Sequence, residues 1–457
     1  MSIANRISFF IKDIKRIWLL IWMADKRLAV LSIVLQLIQA VLPVFSLYYI
    51  KELIEALTSN ESNSPESFYT PLIIFGVIQF FLAIIGQYHT YVNTIFGQKL
   101  TDYLSGIVLR KATDIDYEYY EQPAYHDTLH LAQQQSMQRA PGLLAIFNSV
   151  LLNSTSLLFL IIFFFTLKSL FALWFILLSL PLAFIKWRFG HSIVQQERRL
   201  VPWIRESNYI HNSLTGTSFA KEVRVLGFSS QFIEKFRRIR AYIFDEKRKL
   251  NAKLANFSLL AETLEIIVMI GLFVMLARST FAGAITIGTF VIYIQGFQRM
   301  QTTSRNFLQS VVQALQQKDF LKDLFAFLDI ELSSSKGRQL DFPVVGTGLS
   351  VRDISFTYPL TERVVLQGIN IDCKPGNIIA IVGENGSGKS TLVKLLSKLY
   401  HVQSGSIQIG NVAISDIAEE KFRQNSIFLF QDYEKHFLTV KENIAIGTKG
   451  EIDDERI

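Results

Sequence analysis

The sequence predicts a multi-domain chain: an all-α, six-helix transmembrane domain followed by an α/β P-loop nucleotide-binding domain. Three observations carry that prediction. Six long apolar blocks fall before residue 300. Lys and Arg crowd the stretches between alternate blocks rather than all of them. A glycine-rich run, Gly383 to Ser390, stands between an apolar β-branched run and a helical one.

Half of the 457 residues are hydrophobic and the formal charge is +7. A positive chain could seek nucleic acid. Here the excess Lys and Arg lies beside the apolar blocks, so a lipid bilayer is the expected partner and nucleic acid is not. One cysteine, Cys373, supports neither a disulfide framework nor a cysteine metal site. It reads as a small apolar residue in a strand.

Residues 1–27 mix Arg6, Lys12, Lys15 and Arg16 with Phe9, Phe10, Trp18, Leu19 and Trp22. A secretory signal would show a long apolar core and a small-residue cleavage site. The pattern fits an amphipathic helix, at the membrane surface or packed on protein.

Residues 28–320 hold the blocks. A helix needs about 20 apolar residues to cross a bilayer. The expected spans are Leu28–Ile50, Ser67–Gln98, Ala140–Leu167, Ser169–Ile185, Leu254–Ala277 and Ser279–Gln298. The third and fourth read as a tight hairpin around Lys168. Loop charge sets orientation, with Lys and Arg inside. Lys51, Lys168 and Arg278 stand nearly alone in their turns, whereas Lys186–Lys253 contains fifteen basic residues. The long stretches 99–139 and 186–253 are therefore expected in the cytosol, with both chain termini. Gln195–Leu200 and Glu234–Lys253 are rich in helix formers and predict helices running on past the bilayer. Glu262 and Glu265, within the fifth span, are functional candidates or wet residues near an interface. Gln36, Gln39, Asn148 and Asn153 line a polar path or bond between helices.

Residues 321–348 read as a linker, and 349–457 as a domain of short strands around the glycine loop. Ile378–Val382 suits a buried parallel strand. It leads into Gly383-Glu384-Asn385-Gly386-Ser387-Gly388-Lys389-Ser390, and Thr391–Leu399 places Leu392, Leu395, Leu396 and Leu399 on one helical face. This is the spacing of a P-loop. Its glycines let backbone N–H groups converge on a phosphate. The helix N-terminus adds partial positive charge. Lys389 would reach the outer phosphates, and the Ser390 hydroxyl would be a Mg²⁺ ligand.

The flanks choose among nucleotide hydrolases. Val351 to Pro359, Val365 to Ile371 and Lys374-Pro375-Gly376 precede the loop. Ser404-Gly405-Ser406-Ile407, Phe430-Gln431-Asp432 and Lys441-Glu442-Asn443-Ile444 follow it. This order resembles the nucleotide-binding domain of ABC transporters, and the spans resemble their six-span exporter type. The resemblance implies ATP and Mg²⁺ as cofactors. It implies that Tyr358 stacks on adenine, that Gly383 through Thr391 hold the phosphates, and that Gln431 contacts Mg²⁺ together with Ser390. Apart from the resemblance, Tyr358 reads as a packing residue at a strand edge. Asp116–Leu129 and Ala220–Gly227 look like the family's two cytosolic contact loops.

The same resemblance implies a signature loop, a Walker B Asp-Glu pair and a switch histidine after Gln431, and this chain shows none of them. The expectation is a C-terminally truncated, partial nucleotide-binding domain with no catalytic residue of its own, although an intact family member would be an ATPase. Two readings follow. One is ATP-driven export by a half-transporter paired with a second one, identical or not, in a bacterial inner (cytoplasmic) membrane. The other is a membrane protein that binds nucleotide without hydrolysing it. The transported substrate is not legible.

Overall fold

The computed structural model describes residues 15–58, 65–166, 171–217, 219–316, 324–331, 340–343, 346–359, 361–431 and 436–446. Residues 1–14, the Lys168 turn, most of the 321–348 linker, Asp432 and everything after 446 lie outside them. The chain divides into two units, 1–112 with 128–329, and 113–127 with 330–457.

The first unit is helical. Helix α1 covers 15–24 and α2 Lys26–Thr58. Asp25 separates them and caps α2, its Oδ1 accepting from the N–H groups of Arg27 and Leu28 at 2.9 and 3.0 Å. Its second oxygen pairs with Lys99. Then come α3 (Pro65–Asp114), α5 (Pro123–Thr166), α6 (Phe171–Thr215), α7 (Ala220–Leu226), α8 (Ser229–Phe281), α9 (Ile287–Gln316) and α10 (324–328), while the short α4 (Tyr117–Tyr120) lies in segment 113–127 of the second unit. At 53 residues, α8 is about 80 Å long, far more than a bilayer needs. The charged stretches 195–200 and 234–253 are helical, as their composition predicts.

Four described helices are long and apolar enough to cross a membrane: Lys26–Thr58, Phe68–Asp114, Ala140–Thr166 and Ser229–Phe281. The expected fourth span falls in the first part of α6, where side chains lie outside the described residues. The sixth block is divided differently from expectation. Its first residues belong to α8, which continues to Phe281, and α9 starts only at Ile287. Gly283, at φ 72°, turns the chain between them.

Apolar packing joins these helices. Ile21 of α1 is buried with Ala29, Phe96, Leu100, Ala140 and Leu144, and Trp18 packs on Phe147. A second cluster, including Leu47, Leu160, Phe164, Leu276 and Phe297, joins α2, α5, α8 and α9. Gly296 allows the close approach there: a Cβ on it would lie 2.4 Å from the Phe164 ring. Other large apolar residues, such as Ile73, Phe80 and Ile267, face outward. Such surface suits lipid or another subunit.

Polar contacts tie the same helices. Asn93 Oδ1 accepts from Ser32 and from Asn148, and Gln36 donates to Ser32. Gln36 and Asn148 therefore bond within and between helices, and Asn153 bonds back to Ser149 of its own helix. Glu262 and Glu265 meet Arg305 of α9, at 3.8 and 2.9 Å. Glu265 is only 4 % exposed. A charge so buried needs its partner.

The second unit holds an antiparallel sheet in the order β2-β1-β3-β4, with β1 Leu349–Thr357, β2 Val364–Cys373, β3 Ser404–Ile409 and β4 Val412–Ala413. Val351, Ile354 and Phe356 all face its core, although strict alternation would turn Ile354 away. A bulge at Arg352-Asp353 supplies the extra residue, with Asp353 at φ 49°. Gly405 lies opposite at φ 87°, and a Cβ there would meet the Arg352 carbonyl at 2.3 Å. Helix α11 (Lys389–Leu396) packs Leu392 and Leu395 into this core. Ile414, Ile417 and Phe422, the last on α12 (Glu419–Asn425), close it.

One strand expectation is corrected. Ile378–Val382 was expected to be a buried parallel strand. It is assigned no regular secondary structure and has no strand partner among the described residues, Ile378 being 96 % and Val382 88 % exposed. Ile427 and Leu429 are equally open. Apolar, β-branched composition marks a segment able to lie in a sheet, but a ladder also needs a neighbour.

Candidate functional site

The glycine loop begins where 378–382 ends and closes at the first turn of α11. Gly386 and Gly388 sit at φ 84° and 91°, which side-chain-bearing residues rarely adopt. Space demands Gly388 as well, because a Cβ would lie 2.6 Å from Leu366 of β2. Lys389 opens the helix, yet its ammonium folds back over the loop. It donates to the carbonyls of Gly383 and Glu384, at 2.9 and 2.7 Å. The positive charge is thus held at the loop mouth, where the helix N-terminus also points its N–H groups. Ser390 is exposed in that first turn.

These features fit a polyphosphate. A mobile ammonium, a loop of residues without Cβ clashes and a free hydroxyl at a helix start are what a nucleotide phosphate chain with Mg²⁺ requires. Asn385 and Ser387 are exposed on the loop. Thr391, next along α11, is instead buried, and its hydroxyl is bonded to the Tyr358 hydroxyl at 2.9 Å. Tyr358, just after β1, is therefore joined to the helix that carries the loop. Its half-buried ring meets Phe356 and Tyr400 edge-on, with centroids 5.2 and 5.3 Å away.

Gln431 stands apart. It is exposed, and no hydrogen bond joins it to Ser390 or Lys389 among the described residues. Farther along, α13 (Val440–Ile444) is fixed by a capping box between Thr439 and Glu442. The hydrogen bond from Thr439 holds the Glu442 carboxyl below its ordinary range.

The segment 113–127 belongs to this unit, and it brings a group that sequence reasoning missed. Glu121 binds Lys394 of α11 at 2.5 Å and accepts from the Tyr400 hydroxyl. Burial pushes the Glu121 carboxyl up. The hydrogen bonds from Lys394, Tyr400 and Tyr117 outweigh that, and hold it below its ordinary value. Burial likewise works against the Lys394 ammonium, and Glu121 with the neighbouring tyrosines lifts it above its ordinary value. His401 adds a looser contact to Asp116, 3.8 Å.

The ABC transporter family pattern matches residues 366–457, which include the whole glycine loop. Relatives match nearly the whole chain. The nisin transport ATP-binding protein NisT of Lactococcus lactis subsp. lactis is 28% identical, over 96% of this chain and 73% of its own length. The subtilin transport ATP-binding protein SpaT of Bacillus subtilis is 26% identical, over 97% and 72%. The ATP-dependent lipid A-core flippase of Vibrio vulnificus strain YJ016 is 24% identical, over 98% and 76%.

The chain is an ABC exporter.

Its helical first unit is the membrane domain of that arrangement, and its second carries the ABC nucleotide-binding region. In this exporter two charged contacts were invisible to sequence reading. Glu121 and Lys394 are 273 positions apart, and Arg305 is 40 positions from Glu265. Glu121 lies within the contact loop read at Asp116–Leu129, and nothing in that local sequence signals a lysine partner.

Proposed function

We propose that this ABC exporter is a half-unit that works as a pair and moves its substrate outward when MgATP binds at the glycine loop. The observation that carries the reading is the Lys389 ammonium, held over the loop mouth by the Gly383 and Glu384 carbonyls. Gly383, Glu384, Asn385, Gly386, Ser387 and Gly388 would wrap the phosphates. Lys389 would bind their outer oxygens, Ser390 would hold Mg²⁺ with Gln431, and Tyr358 would stack on adenine. Thr391 would set the Tyr358 ring through its hydroxyl. Mg²⁺ supplies charge neutralisation between the phosphates. The role proposed for this loop is nucleotide binding.

The membrane half is proposed to cross six times, with both termini cytosolic, in a bacterial inner membrane. The basic stretch 186–253 supports that orientation. Residues 1–27, 28–320, 321–348 and 349–457 would be the entry helix, membrane domain, linker and nucleotide region. The relatives' names make nisin, subtilin and lipid A-core the first compounds to offer. Vesicles carrying the protein are expected to move at least one of them with MgATP and not with the Lys389→Ala variant. Equal movement with and without ATP would refute ATP-driven export.

A further inference from the structure

Five side chains from three distant stretches meet in the second unit. Tyr117 and Glu121 come from the segment linking α3 to α5. Lys394 lies on α11, Tyr400 follows α11, and Tyr358 follows β1. Thr391 and Lys394 stand three positions apart, so they share one face of the helix. That face meets Tyr358 and 113–127 together. The Lys394 ammonium lies 5.6, 5.7 and 5.9 Å from the ring centres of Tyr117, Tyr358 and Tyr400. At such distances a cation is attracted to an aromatic ring. Glu121 fixes the ammonium there, with one oxygen on Lys394 and the other on the Tyr400 hydroxyl. Tyr400 in turn meets Tyr358 at 88°.

We propose that Glu121 and Lys394 are positioning residues for the nucleotide base: they make base recognition at Tyr358 depend on the docked 113–127 segment. The inference rests on the reading of Tyr358 as the base platform. Glu121 never reaches the nucleotide. It holds Lys394 and Tyr400, and these hold the Tyr358 ring while Thr391 holds its hydroxyl. A base stacked on Tyr358 then favours the docked segment, and by reciprocity the docked segment favours the base. The phosphates, bound at Lys389 and the glycine loop, do not take part in this linkage. The charges persist at neutral pH, because the carboxyl is held low and the ammonium high.

The test compares a ligand with a base against one without. Full-length protein in detergent is loaded with a fluorescent ATP analogue and Mg²⁺, which is displaced by ATP or by inorganic tripolyphosphate. The variants are Glu121→Gln, Lys394→Met and Tyr358→Leu. Tyr358→Leu is expected to cut the preference for ATP over tripolyphosphate by about tenfold or more. Glu121→Gln and Lys394→Met should each cut it by roughly three- to tenfold. Tripolyphosphate affinity should hold throughout. Equal losses for both competitors would overturn the proposal in favour of a general structural role. So would an unchanged preference in the Glu121 and Lys394 variants while Tyr358→Leu lowers it, and that result would leave the platform reading standing. An unchanged preference in Tyr358→Leu would remove the platform itself, and the inference with it. Should Glu121→Gln fail to fold, Lys394→Met alone decides, since it cuts the same contact from the other side.

Discussion

Two carboxylate–cation contacts, one in each unit, look alike on paper and differ in setting. Glu265 with Arg305 joins α8 to α9, and the carboxylate is almost wholly shielded from water. Glu121 with Lys394 joins segment 113–127 to α11, and both side chains stay partly open. A shielded pair is costly to break, because the charge left behind has no solvent to turn to. An open pair contributes little stability, since water replaces the lost partner. The contrast teaches that the first contact serves the fold of the membrane domain, whereas the second is free to serve a linkage between sites.

The largest expected effect tests the shielded contact. Arg305→Met should destabilise the protein by about 3–5 kcal/mol, seen as a marked fall in the thermal unfolding midpoint in detergent. A midpoint unchanged from wild type would mean that Glu265 finds water in the protein. Next comes the sheet that carries the second unit. Gly405→Ala forces a Cβ toward the Arg352 carbonyl at a left-handed position. It should cost about 1–3 kcal/mol and release the Arg352-Asp353 bulge to hydrogen exchange. The smallest effect on stability belongs to the open pair. Lys394→Met should change it by about 1 kcal/mol or less, even though it lowers base preference. A large fall in its unfolding midpoint would mean that the Glu121–Lys394 pair serves the fold as the Glu265–Arg305 pair does.

Acid sharpens the same contrast. The Glu121 carboxyl is held below its ordinary 4.5, so its contribution is present above that value. It is lost as pH falls through the lowered value. The Lys394 ammonium, held above 10.5, contributes below that and fails only as pH rises beyond it. Base preference should therefore stay level between about pH 6 and 8. A slope in that window would contradict the assignment of base preference to the Glu121–Lys394 pair.

What sequence could reveal follows from distance along the chain. The glycine loop is contiguous, and its Cβ-free positions and its lysine are written in consecutive letters. Membrane helices are legible because hydropathy is a local sum, yet their ends are not. The turn between α8 and α9 is set by Gly283, while the apolar pattern runs on past it. The partner of Glu262 and Glu265 lay on the next helix, and the partner of Glu121 lay beyond the whole membrane domain. Charge complementarity between such residues becomes visible only when folding brings them together. Ile378–Val382 failed for a different reason. Its composition states a preference for a sheet, and no described strand lies beside it to satisfy that preference.

The glycine loop is proposed to bind nucleotide phosphate through Lys389. Direct binding of a fluorescent ATP analogue with Mg²⁺, to the wild-type chain and to Lys389→Ala, tests it most simply. Saturable binding is expected, weakened by the variant roughly tenfold to a hundredfold, the cost of losing one charged hydrogen-bonding group. Equal affinity in both proteins would contradict it and place the nucleotide, if it binds at all, away from this loop.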